Sequence, residues 1–463
     1  MFPWALALLV LAASAFATTP PIGTCMPLST LNFTYPPVTA DGVKAHVIYK
    51  NLTNPRAMRW DKCGNLLVVE RNTSVSALKF RNDANCVGWE KHVLVANASL
   101  NHGLEIWPKK GGNQYLYASS MENLFRWEYN CAALAVVGQP ATLIWNMTNP
   151  GMPYNDHVTR TLLLEPPVGG ESQGIIVSRG SGGNGDNAAI DPTTGRAQIH
   201  WFSLKNVPSG KGWAWGQGKI LSWGNRNGVG IAFSKDGNSL WEVENSSDNL
   251  MWHGVDVHQD NPAEEMNLIP LKDTDSIPLA RKFYGYPNCF TVWNSTSVPK
   301  NATSTAQFTF PTGDQFSVID PPNNPTDAWC ADQKNVVRPS LSFQAHSAPL
   351  DIVFYKEVKK PSDKSLCNDW VGDAFVSFHG SWDRDIPTGF KVVRIPMKED
   401  GSCPKAPPNS QHGYETVLSA SNVTSCYTEG CIRPVGLLFD PSGQLIMSSD
   451  ATGEIIAIQG SPK

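Results

Sequence analysis

The chain has 463 residues and a formal net charge of −4, with 41% hydrophobic and 17% charged residues. The absence of a basic excess argues against a nucleic-acid binder, and the apolar content excludes a disordered chain. Thirty-eight Gly, 35 Pro and 16 Trp suit many short strands joined by tight turns, so the expected class is all-β.

From the N-terminus, an apolar run over residues 5–11 and small residues through Ala17 read as a secretory signal peptide, residues 1–17, although no Lys or Arg precedes the run. Residues 18–463 are then expected to form one domain. No other run approaches the roughly 20 apolar residues of a membrane helix. Nine Asn-x-Ser/Thr sequons, at Asn32, Asn51, Asn72, Asn97, Asn146, Asn245, Asn294, Asn301 and Asn422, agree with secretion. Ten cysteines in an oxidising compartment most simply make five disulfides, with Cys426–Cys431 and Cys367–Cys403 as the expected local pairs. A zinc site is poorly supported, because no CxxC or HExxH spacing occurs. The expected location is extracellular.

A repeat follows along the chain: a basic or polar residue, an apolar strand, a Gly-containing turn, and a second apolar strand ending in polar residues. It begins at Arg56 (AMRWDKCGNLLVVERN), His102, His157, Arg226 (NGVGIAFSKDGNSLWEVEN), His346 and Arg433 (PVGLLFDPSGQLIMSSD). Six hairpins that cannot bury their faces alone predict a six-bladed β-propeller; an ordinary β-sandwich is the weaker alternative. The long gap before His346, with its Pro-rich residues 320–325, reads as an insertion on one blade. Residues 45–49 are expected to supply the strand that closes the ring.

In a hairpin, the first strand's start and the second strand's end share an edge. Arg56, His102, His157, Arg226, His346 and Arg433 should therefore ring one mouth of the channel. Glu70, Arg71, Ser119, Arg179, Glu244, Asn245, His379 and Asp450 should join them from the second strands. Such a collar suits a ligand with several carboxylates. Asp156-His157 is a candidate base. The run Glu244-Asn245-Ser246-Ser247-Asp248 offers oxygens for Ca²⁺, or else is a polar loop or a glycan site at Asn245.

Six motifs carry a resemblance: NDHVTRTLLL from Asn155, WGNRNGVGIAF from Trp223, YGYPNCF from Tyr284, AHSAPLDIVFY from Ala345, FHGSWDRDIPTGFKVVRIP from Phe378 and IRPVGLLFDPSG from Ile432. From Thr24 onward the chain resembles the soluble quinoprotein glucose/sorbosone dehydrogenases, and more closely the fungal pyrroloquinoline-quinone-dependent pyranose dehydrogenases. The resemblance implies a six-bladed propeller holding pyrroloquinoline quinone through Arg226, Asn227, His379 and Arg433, with further cofactor contacts from His346 and His102. It implies Ca²⁺ near Glu244, Asn245 and Ser246, His157 as general base, and Arg226 as a catalytic oxyanion stabiliser. Trp382, Asp383 and Arg384 become candidate sugar contacts. The implied reaction oxidises C1 of a pyranose to the lactone. With no CxxCH haem motif, electrons should leave to an external acceptor such as a secreted copper monooxygenase or a small quinone. Two departures from the bacterial pattern, His379 for a Lys and Cys431 for an Arg, imply a rearranged carboxylate clamp and no transfer of glucose preference. Rival readings on the same architecture are a Ca²⁺-dependent lactonase and a non-catalytic ligand-binding propeller. Nucleic-acid and membrane partners are not expected, and a monomer is.

Overall fold

The structure, a computed structural model, describes residues 23–461 except 149–156, 168–171, 295, 297–307, 321–322 and 324. The expected signal peptide, Asp156 and the Asn301 sequon lie outside the described residues. Six antiparallel sheets form the blades of a propeller. Blade 1 runs Pro55–Trp60, Leu66–Glu70, Ser74–Asp83, Cys86–Ala96, and blade 2 runs Leu100–Pro108, Gln114–Ser120, Leu124–Asn130, Ala135–Trp145. Blade 3 is Leu162–Leu164, Gly174–Arg179, Gln198–Ser203, Lys219–Trp223; blade 4 is Gly228–Phe233, Ser239–Glu244, Glu264–Pro270, Leu341–Phe343. Blade 5 is Pro349–Phe354, Ala374–Phe378, Lys391–Ile395, Glu415–Ala420, and blade 6 begins Pro434–Phe439, Leu445–Ser449, Glu454–Gly460. The first strands neighbour one another in blade order and close a ring.

The N-terminal strand Val43–Tyr49 completes blade 6 by pairing antiparallel with Glu454–Gly460. This is the closure expected of residues 45–49, and it ties the two ends of the chain together. The second strands are covered on both faces by adjoining blades. They therefore read as unbroken apolar runs rather than alternating ones, and Leu66–Glu70, Ala374–Phe378 and Leu445–Ser449 are buried at every residue. Three hairpins share one turn device. The Oδ1 atoms of Asp61, Asp236 and Asp440 accept nearby backbone N–H groups. Each turn is completed by a glycine at positive φ: Gly64 at 84°, Gly237 at 73° and Gly443 at 84°. Where inner strands meet, only glycine fits: a Cβ on Gly436 would lie 2.5 Å from the Arg56 carbonyl oxygen.

The residues between the third and fourth strands of blade 4 carry the hairpin Cys289–Thr291 with Gln315–Ser317, the helix Asp327–Ala331 and the disulfide Cys289–Cys330. Phe290, Phe308 and Phe316 pack there with Ala189 and Ala197 of the blade 3 loop. Three more disulfides join Cys25–Cys86, Cys63–Cys131 and Cys426–Cys431. The expected Cys367–Cys403 bridge is not formed, and both thiols are free. The two residues leave blade 5 on opposite flanks. Leu366 N–H donates to Gly443 of blade 6 (3.1 Å), whereas Cys403 closes a turn whose Glu399 carbonyl accepts Lys235 of blade 4 (2.7 Å). Among the described residues, no helix is long and apolar enough to cross a membrane.

Candidate functional site

The strand starts and second-strand ends meet at one mouth of the channel in two networks. In the first, Arg56 is buried and donates from Nη1 to Asp450 Oδ2 (2.7 Å) and from Nε to His102 Nδ1 (3.2 Å). His379 Nε2 lies 2.9 Å from Asp450 Oδ1, and Arg433 Nη1 lies 3.4 Å from His379 Nδ1. Arg433 also donates to the Gly380 carbonyl (3.2 Å) and lies over the Phe390 ring at 4.9 Å. One edge of its guanidinium has no hydrogen-bond partner among the described residues. Four blades thus contribute to one chain of contacts, Arg56–Asp450–His379–Arg433 with His102 behind it.

The second network centres on Arg226, which enters blade 4 and is 4% exposed. Its backbone N–H donates to Glu244 Oε1 (2.5 Å). Its Nη1 donates to the carbonyls of Ser246 and Asn245, and its Nη2 to Asn184 Oδ1 (2.7 Å) and Asp248 Oδ2 (3.1 Å). The Glu244 carboxylate points away from those carbonyls, toward Asn267 Nδ2 at 3.3 Å. Of the three expected metal residues, Asn245 and Ser246 therefore present carbonyls at the mouth, whereas the Glu244 carboxylate holds the Arg226 backbone and Asn267. Asn245 is not a free glycan acceptor, since its Nδ2 donates to the Pro349 carbonyl at 2.6 Å.

His157 stands beside this network. Its Nδ1 is 3.1 Å from the Ser181 carbonyl and 2.9 Å from Ser181 Oγ. A carbonyl only accepts, so the proton is assigned to Nδ1, and the Nε2 lone pair has no partner among the described residues. Burial and the neighbouring Arg226 push its pKa down to about 3, so the ring is neutral. The loop after blade 3's second strand creates this contact. A Cβ on Gly180 would strike His157 Cβ at 2.6 Å and Asn227 Oδ1 at 2.8 Å, so only glycine lets the loop approach. Tyr286 Oη clamps the loop, accepting the Asp186 N–H at 2.6 Å and lying 3.1 Å from the Gly183 carbonyl.

His346 is 3% exposed, with Nε2 2.5 Å from the His258 carbonyl and Nδ1 3.8 Å from Asp248 Oδ1. Of the three expected sugar contacts, Trp382 is 64% exposed at the rim. Asp383 is buried, accepting the Asn249 N–H at 2.6 Å, and Arg384 is tied to Asp260 and the Gln259 carbonyl. Asp383 through its burial and Arg384 through its ion pair thus act as loop supports. Burial also changes the collar's charge. Desolvation, reinforced by Arg56, pushes His102 well below its usual range. Burial would raise Asp450, but His379 and Arg56 beside it hold it well below the carboxylate range. The mouth therefore carries the guanidinium groups of Arg56, Arg226 and Arg433 against the carboxylates of Asp450, Asp248 and Asp383, and is less cationic than six basic strand starts suggest.

Beneath Arg226, the alternation of blade 4 puts Glu242, Glu244, Glu265 and Asn267 on one face, as the pairs Glu242–Asn267 and Glu244–Glu265. Asn267 Nδ2 lies 3.0 to 3.3 Å from all three carboxylates, and burial pushes their pKa values up. On the opposite face, Glu264 is pushed up to about 8 by burial; it accepts the Ser246 N–H (2.7 Å) and the Ala348 N–H (3.1 Å). Sequence reading did not find Asn184, Ser181, Tyr286, Glu264 or Asn267. The glycine-dense stretch around Gly180–Gly185 was the available signal for the first two.

The residues fit the two groups implied by the motifs. Oxygens of Asn245, Ser246, Asn184 and Asp248 already converge on one cationic centre, a hard-cation donor set. Among the described residues, Asn227 Oδ1 and Arg226 Nε are buried without a partner, and the open edge of Arg433 suits a carboxylate.

The TrAA12-like family profile matches residues 37–461. The chain is 35% identical over 438 residues to a pyrroloquinoline quinone-dependent sugar dehydrogenase of Hypocrea jecorina, covering 93% of this chain and 91% of that protein. It is 33% identical over 437 residues to a pyrroloquinoline quinone-dependent pyranose dehydrogenase of Coprinopsis cinerea, covering 91% of this chain and 54% of that protein. A calcium structure of the Trichoderma reesei family AA12 enzyme superposes with a TM-score of 0.79 at 35% identity, covering 93% and 99% of the two chains. The holo form of the C. cinerea pyranose dehydrogenase PQQ domain does so with a TM-score of 0.76 at 32% identity, covering 92% and 97%.

Proposed function

The chain belongs to the TrAA12-like family and is a pyrroloquinoline-quinone-dependent sugar oxidoreductase with calcium as its second cofactor, and from that premise we propose that it oxidises C1 of aldoses or 2-keto sugars to the lactone. When bound, the quinone supplies the two-electron oxidant. Arg226, Asn227, His379 and Arg433 would hold it, with His346 and His102 fixing the groups around them. The carbonyl oxygens of Asn245 and Ser246 would hold calcium, while Glu244 anchors the Arg226 backbone N–H beside them.

His157 is the base. Ser181 fixes its Nδ1, so its free Nε2 takes the proton of the anomeric hydroxyl. With its pKa near 3 the imidazole stays unprotonated through mildly acidic pH, ready to accept that proton. Arg226 places a guanidinium beside the site where negative charge develops. Trp382 offers its exposed indole to the sugar ring, and Asp383 and Arg384 hold its loop in place. Electrons pass to an external acceptor, a secreted copper monooxygenase or a small quinone. The four disulfides fit an oxidising, extracellular compartment; the protein is secreted after loss of residues 1–17 and works as a monomer.

The observation that carries this reading is the free Nε2 of a neutral His157 locked by Ser181 next to Arg226. The test is His157→Gln in the presence of pyrroloquinoline quinone and Ca²⁺. Removing a positioned base should cost roughly 10²–10⁴-fold in sugar-dependent dye reduction, with quinone binding retained. Turnover within a few-fold of wild type would reject the base assignment.

A further inference from the structure

Blade 3 opposes two arginines across its first two strands. Leu162 pairs with Val177, and the Ser178 N–H donates to the Thr161 carbonyl (3.2 Å), so the next residues, Arg160 and Arg179, stand opposite each other. Leu162 and Val177 pack with Tyr117, Leu124 and Leu143 of blade 2. The period of two along each strand puts both arginines on that same face, between blades 2 and 3. Both are buried, Arg160 at 0% and Arg179 at 2% exposure. Like charges directly opposite each other are destabilising, and a buried charge ordinarily has a partner of opposite sign. Among the described residues, no carboxylate forms an ion pair with either.

Arg160 donates from Nη1 to the carbonyls of His157 (2.8 Å) and Thr159 (2.7 Å) and from Nη2 to that of Met147 (3.4 Å), which leaves its buried Nε without a partner. Nε and Nη1 of Arg179 are also buried and unpartnered, and its guanidinium lies 5.9 Å from the Trp215 ring centre. The neighbouring Arg196 is already paired with Asp186 at 2.7 Å. Glu122, on the blade 2 turn, favours the charged form of both arginines without bonding to either. Burial and the facing Arg179 push Arg160 down to about 9, so the pair is poorly neutralised.

We propose that a small inorganic anion of the halide class, the size of chloride, sits between Arg160 and Arg179 and completes the contact of blade 2 with blade 3. Bare N–H groups on two guanidinium ions suit such an acceptor. The depth of both side chains excludes a sugar or a tricarboxylate, which need an open cleft. One monovalent anion together with Glu122 balances the two positive charges. Because Arg160 Nη1 holds the His157 carbonyl, the ion also anchors the backbone that carries the base.

The full chain is tested without quinone or metal, so the outcome is independent of how the mouth is loaded. Chloride replaces methanesulfonate, a bulkier monovalent anion, at constant ionic strength while melting is followed by calorimetry. The melting temperature should rise saturably, by about 3 °C at a hundredfold excess over the dissociation constant, and bromide should act like chloride. Arg179→Gln should lose this response and, free of halide, melt no lower than wild type, since it removes an unneutralised buried charge. Lys205→Gln removes an exposed charge from the same blade and should keep the full response. Bromide-soaked wild-type crystals should show an anomalous peak in hydrogen-bond contact with both guanidinium groups, a readout that needs no variant. Equal melting in the two salts, a response that survives in Arg179→Gln, a lower melting point of that variant in both salts, or no bromide between the two side chains would overturn the proposal.

Discussion

Asp450→Asn is the sharpest test of the first network. Asp450 is the only carboxylate bonded to both Arg56 and His379 among the described residues, at 2.7 and 2.9 Å. The Arg56 and Asp450 side chains are 5% and 13% exposed, so solvent cannot replace the lost charge at Arg56. Breaking a buried pair from one side typically costs about 3–5 kcal/mol. Asparagine keeps the shape and one acceptor, which brings the expected loss to about 2–4 kcal/mol. At about 2.1 cal/mol/K per residue over some 440 residues, unfolding entropy is near 0.9 kcal/mol/K, so the melting temperature should fall by roughly 2–4 °C. His379→Gln leaves the Arg56–Asp450 pair intact and should cost only about 1 kcal/mol, or roughly 1 °C. Scanning calorimetry at one fixed heating rate, without metal or quinone, reads both shifts. An Asp450→Asn melting point within half a degree of wild type, or a loss no larger than that of His379→Gln, would show that the pair is not the keystone of this network.

The buried carboxyls set the pH dependence of stability. Glu264 is held near 8, above its unfolded value, so its contribution is full below about pH 4.5 and is lost as pH rises toward 8. His157, held near 3, acts in the opposite sense: its contribution is present above about pH 6.5 and lost as pH falls toward 3. Metal-free protein should therefore melt highest near pH 6 and lose stability between pH 6.5 and 8.5, with Glu264→Gln flattening the upper limb; a melting point that rises over that range contradicts the assignment. Thiol labelling of the native protein should modify exposed Cys367 quickly and half-buried Cys403 slowly, with two reactive thiols after denaturation. No reactive thiol after denaturation would mean that a fifth disulfide exists.

The blades were legible because three hairpins repeat a local device, an Asp turn closed by Gly, and the others share its pattern of apolar runs covered by neighbours on both faces. The strand order needed nothing beyond that repeat. The collar positions were legible too, since hairpin geometry alone brings Arg56, His102, Arg226, His346, His379, Arg433 and Asp450 to one edge. Their charge states were not. Whether His102 and His157 are cationic depends on burial and on nearby guanidinium groups, which no local pattern encodes. The same limit hid Asn184 and Ser181, which reach the site from a loop more than 40 residues before Arg226 in the case of Asn184 (|i−j| of 42). Asp383 looked like a sugar contact beside Trp382, but its chain turns inward and its carboxylate satisfies Asn249. Cys367 and Cys403 looked paired because they are near in sequence, and the width of blade 5 separates them.

If this mouth holds a tricarboxylate quinone with calcium and uses it on sugars, loading and turnover are both visible in the quinone's absorption. The direct measurement is a visible-absorption titration of the metal-free protein with pyrroloquinoline quinone and Ca²⁺, followed by addition of a panel of aldoses and 2-keto sugars. A saturable spectral shift at one quinone per chain is expected, dependent on Ca²⁺ and weakened by Arg433→Gln, and then bleaching on addition of a preferred sugar. A spectrum that never departs from that of free quinone, or a bound quinone that no sugar reduces, would contradict it.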